Sequence, residues 1–90
     1  MPPADAEVAE FSRRADAAAE LIRHGFSSRA FEETKEVCRL MDDKPAVKKH
    51  VGYDALRERL LTLAVQSWNI LPKTERTERF REDNFVESSI

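Results

Sequence analysis

Cys38, His24 and His50 are the residues best suited to nucleophilic or metal chemistry in this chain, and their spacing serves neither. A thiol nucleophile needs a neighbouring base, a group to orient that base and a donor pair for the oxyanion, and no third group or glycine-rich loop accompanies them. The one cysteine cannot form an intrachain disulfide, and no CxxC or CxxH spacing points to a structural zinc. Cys38 falls on the apolar stripe of a predicted helix, where a thiol packs as a small hydrophobe. His24 lies at the predicted end of the first helix, where a cation suits the dipole. His50 follows Lys48-Lys49 and reads as part of a solvated turn, with contact to phosphate or lipid headgroups as the alternative. The acid pairs Asp42-Asp43 and Glu82-Asp83 are sequence neighbours, so on a helix their side chains diverge by about 100° and make no acid–base couple. They are expected to end helices or to meet basic residues on a partner. With two glycines in the chain there is no phosphate-cradling loop. The enzyme reading is therefore the weakest, and no cofactor or metal is expected.

The elements that would position these residues are helices. A content of 41% hydrophobic and 36% charged residues, with so little glycine, reads as all-α and soluble. Val8, Phe11, Ala15, Ala18/Ala19 and Ile22 follow a helical period over residues 4–24, with Gly25 as C-terminal cap. Ser27-Ser28 is expected to cap a second helix, striped by Phe31, Val37/Cys38 and Leu40/Met41 and ending near Asp42-Asp43. Pro45 can open a short turn of helix to His50. Asp54 is expected to cap the third long helix. There Leu56, Leu60, Leu63 and Ser67 share one face, while Leu61, Ala64/Val65 and Trp68 share the next. That broad apolar arc predicts the most buried element of the fold. The expected fold is a small bundle of three main helices plus a short C-terminal helix or tail.

Pro72 stops the third helix, and Leu71 before it is biased to extended backbone. Thr74 can then cap a new helix through about Glu82, favoured by Glu75–Arg79 and opposed by Glu78–Glu82. The expected division is a helical domain over residues 1–72 and a charged, partner-docking tail over 73–90. Trp68 reads either as core packing or as an interface anchor. Phe80 and Phe85 sit among charges, so the tail either docks on another chain or folds back with Phe80 over the core.

Several function classes are disfavoured by composition. The net charge is −2 and the cations are interleaved with acids, unlike the basic stripe of a nucleic-acid surface. The run at Leu60-Leu61 is far short of the ~20 apolar residues that span a bilayer. The opening Met1-Pro2-Pro3-Ala4-Asp5-Ala6-Glu7 lacks the apolar core of a secretory signal, and its acids disfavour a cleaved presequence. At 90 residues the chain buries only about 60–65% of its unfolded surface, so a partner surface would add needed stability.

The segment from Arg57-Glu58-Arg59 through Ile70-Leu71-Pro72-Lys73 to Thr77 and Glu82-Asp83-Asn84-Phe85 resembles one mitochondrial family. It is similar to the small helical matrix-side subunit of respiratory complex III, subunit seven in the usual count. A weaker echo lies at Leu40-Met41-Asp42-Asp43. Arg76 stands where that family carries tryptophan, and Val86-Glu87-Ser88-Ser89-Ile90 replaces its Tyr-Leu-x-Pro-Tyr continuation. The resemblance implies a non-catalytic accessory subunit that supports assembly and stability, peripheral to the inner membrane on its matrix side. It implies cytochrome b and the core subunits as partners. On that reading Trp68, Leu71, Pro72, Lys73, Arg76, Phe80, Glu82, Asp83 and Phe85 face the partner. The alternatives are an accessory subunit of another respiratory complex, or a free-standing helical adaptor with a groove beside Leu56–Trp68.

Overall fold

A computed structural model describes residues 3–88, with side chains from Ala4 to Phe80. The chain is all-α: α1 (Pro3–Arg23), α2 (Ser27–Asp42), the short α3 (Pro45–Lys48), α4 (Tyr53–Ile70) and α5 (Lys73–Ser88). The last helix, expected to end near Glu82, has 16 residues and runs on to Ser88.

The helix ends follow local chemistry, though not always at the expected residue. Gly25 takes φ +85°, and its N–H reaches the Ile22 carbonyl while that of Phe26 reaches Leu21. Those two bonds form a Schellman cap, which needs a residue in the left-handed region. Gly25→Ala is expected to cost about 1 kcal/mol for this reason, measurable by urea unfolding. The start of α2 differs from expectation: Phe26 is the N-cap with no side-chain capping bond, and Ser27 and Ser28 lie inside the first turn. The Ser28 hydroxyl instead donates to Glu75 of α5. Likewise Gly52, not Asp54, is the N-cap of α4, and Asp54 sits in its first turn. Leu71 has the extended backbone expected before proline, at φ −59° and ψ 144°.

Helix α2 is the hub, packed between α1 and α4 and touching α3. Its stripe Ala30, Thr34, Val37 and Met41 is buried. It faces Phe11, Ala15 and Ala18 of α1 on one side, and Leu56, Leu60 and Leu63 of α4 on the other. Two alanines of α1, Ala15 and Ala18, are fully buried, and their small side chains let the helices approach closely. Ala18→Leu is expected to destabilise the fold by about 1–3 kcal/mol through overpacking, readable as a lower denaturant midpoint at unchanged slope.

The expectation that α4 is the most buried element is corrected. The Cα extents are 46 × 37 × 15 Å. With neighbouring axes about 8–10 Å apart, so thin a slab is no more than about two helix layers deep. Helix α4 can be covered on one side only. Its Leu56–Leu60–Leu63–Ser67 face is buried, while Leu61 is 47% and Val65 is 59% exposed.

Polar links pin the helices laterally. Arg14 donates to Glu33 across α1 and α2 at 2.6 Å, and Arg59 pairs with Asp16 across α4 and α1 at 2.6 Å. His50, expected in a solvated turn, is instead a tertiary link. Its Nδ1 accepts the Gly52 N–H at 2.9 Å, which leaves Nε2 to donate to the Asp5 carboxylate of α1.

Candidate interaction surface on helices α2, α4 and α5

The residues with the potential for chemistry are distributed as structural fittings. Cys38 is half-buried on α2, and burial pushes its thiol above the usual range, away from thiolate reactivity. His24 is exposed at the end of α1, 3.5 Å from Glu20. No group of three or more metal-ligating side chains occurs among the described residues. None of the described helices is long and apolar enough to cross a membrane.

Asp42 has a structural role within the chain. Arg57 holds its carboxylate in a fork, Nε to Oδ1 at 3.1 Å and Nη2 to Oδ2 at 3.0 Å, and the Tyr53 hydroxyl donates to Oδ1 at 2.6 Å. The Arg57 bonds, then that of Tyr53, pull the Asp42 carboxyl from 3.8 down to about 2. A shift of that size corresponds to about 2 kcal/mol. Solvent around a carboxylate that is 38% exposed reduces the share to about 1 kcal/mol. Because the folded value is depressed, this stability is present above pH 4 and is lost as pH falls toward 2. Asp42→Asn is therefore expected to lower the melting temperature at pH 6 and to match the parent chain near pH 2.

The feature without an internal role is an apolar face. Helix α4 presents Leu61, Val65 and Trp68 at i, i+4 and i+7, one continuous stripe along its side. Between this stripe and α2 runs a groove of about 480 Å³, lined by Lys35, Glu36, Cys38, Arg39, Leu61 and Ala64. Trp68 stands at the far end of the stripe, half-buried, its ring 5.2 Å from that of Phe31. It also opens a second hollow of about 330 Å³, shared with Lys73, Arg76, Thr77 and Phe80 of α5. Phe80 is 65% exposed there, so it does not close over the core.

Helix α5 is held to α2 by its polar side. Arg79 pairs with Glu32 and with Glu75, and its guanidinium lies 5.4 Å from the centre of the Phe31 ring. The first turns of the tail thus fold back against α2, and the face bearing Lys73, Arg76 and Phe80 is turned to the Trp68 hollow.

Of the residues expected to face a partner, Trp68, Lys73, Arg76 and Phe80 are brought together by this hollow. Pro72 is exposed nearby, beside Ile70 and Phe26 in a separate depression. Leu71 is corrected: it is 3% exposed, because the extended turn before Pro72 folds its side chain inward. The side chains of Glu82, Asp83 and Phe85 lie outside the described residues. Sequence reasoning missed Leu61, Val65 and Lys35 as surface residues. The signal for the first two was present in the α4 stripe that runs beside the Leu56–Leu60–Leu63 face. No family model, no curated protein and no solved structure matches this chain.

Proposed function

We propose that this chain is a non-catalytic helical interaction module that binds a protein partner along the α2–α4–α5 face. The observation that carries the reading is the stripe of Leu61 and Val65, 47% and 59% exposed, continued by the Trp68 and Phe80 hollow. Large apolar side chains gathered on one face beside a groove mark an interaction site, where singly scattered ones would not. Trp68 supplies the kind of rigid aromatic anchor that dominates binding energy at such sites.

The more specific form of this reading is the accessory subunit of mitochondrial complex III, held by cytochrome b and the core subunits. It is supported by the resemblance over Leu71-Pro72-Lys73 to Phe85. The free-standing adaptor shares the same surface and differs only in what occupies it. Mild-detergent extraction of native membranes, native size separation and mass spectrometry of each fraction tests them together. Comigration with b- and c-type haem absorbance and the core subunits is the result expected of the complex III form. Comigration with another assembly keeps the accessory role and removes that family. Recovery as a small species with no stoichiometric partner in any fraction contradicts the interaction module itself.

A further inference from the structure

The charges that line the two hollows are one-sided once internal pairing is taken into account. The carboxylates that flank the groove are already engaged, Glu36 by Arg39 and Glu32 by Arg79. The cations are not: Lys35, Lys73 and Arg76 make no ion pair among the described residues. Lys35 lies 5.3 Å from the Phe31 ring centre, so its ammonium stands over the same aromatic pair that anchors the stripe. The Nε of Arg76 is buried without a hydrogen-bond acceptor among the described residues. A chain with a net charge of −2 thus keeps Lys35 on the α2–α4 groove, and Lys73 and Arg76 on the Trp68 hollow, without an ion pair among the described residues.

We propose that this face receives an amphipathic helix of a partner protein, its apolar edge on Leu61, Val65 and Trp68 and its acidic flanks against Lys35, Lys73 and Arg76. The proposal rests on the interaction-module reading and specifies its occupant. The surface is a groove between two helices, which suits the ridge of a third helix better than the plane of a bilayer. Carboxylates on the flanks would meet Lys35 at the α2–α4 groove and Lys73 and Arg76 at the Trp68 hollow. Such rim charges set partner choice and association rate, while the apolar stripe sets residence time.

The test uses the full chain and two tryptophan-free, stapled helical peptides of about 18 residues, both with the same leucine stripe. One carries glutamate at the remaining positions and the other lysine. Trp68 is the only tryptophan, so its emission reports occupancy of the face directly. The glutamate peptide is expected to shift that emission saturably and to weaken with added salt, while the lysine peptide does not bind. Lys73→Glu/Arg76→Glu is expected to weaken the glutamate peptide about tenfold. Reversal at Lys73 places an acid in the first turn of α5, where it suits the helix dipole, so the variant keeps its helicity by circular dichroism.

Equal binding of both peptides, binding of neither, or no response to the charge reversal overturns the acidic helix. Binding to phosphatidylserine vesicles with both peptides inert overturns it in favour of a lipid surface. If neither peptide binds but Leu61→Glu/Val65→Glu still detaches the chain from its native assembly, the interaction module stands and only this occupant falls.

Discussion

Leu60→Ala is expected to remove about 3–5 kcal/mol of stability, among the largest losses available from a single side chain in this fold. Leu60 is fully buried in the middle of α4, at the meeting of α2 and α4, in the same cluster as Val37, Met41 and Leu56. Truncation removes the transfer free energy of the lost methyl groups and leaves a cavity. Helices already set by Ala15, Ala18 and the Asp42–Arg57 fork cannot easily close over it. A domain of this length holds on the order of 5–13 kcal/mol in all, so this one side chain carries a large share of the total. Urea denaturation read by far-ultraviolet circular dichroism measures it. A loss below about 0.5 kcal/mol would mean that Leu60 is not the centre of the core.

The second large effect separates binding from stability. Leu61→Glu/Val65→Glu is expected to change unfolding free energy by less than about 1 kcal/mol, because Leu61 is about half and Val65 more than half in water on a helix that tolerates glutamate. The same pair is expected to weaken partner binding more than about a hundredfold, since two carboxylates would be desolvated against an apolar ridge. Thermal melts of the isolated variant and its retention in the native assembly give the two numbers. A variant that melts with the parent and stays in the assembly excludes the α4 stripe as the contact. One that unfolds places Leu61 and Val65 in the core after all.

Much of the fold was readable from the chain because local signals agreed with one another. The Val8–Phe11–Ala15–Ala18 period, Gly25 at a helix end, Pro45 at a helix start and Leu71 before Pro72 each act within a few residues. Each lies where the structure puts it. The cap expected at Ser28 failed for a tertiary reason, while at α4 the N-cap simply falls two residues before Asp54, at Gly52. Ser28 donates to Glu75, 47 positions away, and that partner replaces the local backbone bond. The burial of α4 was misjudged because periodicity reports how wide an apolar arc is, not how many neighbours cover it. The Leu56–Leu60–Leu63 side of the arc meets α2, while the Leu61–Val65 side meets none of the described elements closely enough to be buried. His50 was invisible for the same kind of reason, since its partner Asp5 lies 45 residues earlier. At the candidate site, sequence marked Trp68, Lys73, Arg76 and Phe80. It could not show that Arg79 and Glu32 would pair and so leave Lys73 and Arg76 as the cations facing the hollow.

Site-directed photocrosslinking in the native cell tests the docking face most directly. A photoreactive residue at Val65 is compared with one at Ala17, an exposed position on α1. One dominant crosslinked peptide is expected at position 65, amphipathic and acidic in sequence, with little product at position 17. Equal products at the two positions, or none at 65 while the chain remains in its assembly, would contradict the docking face.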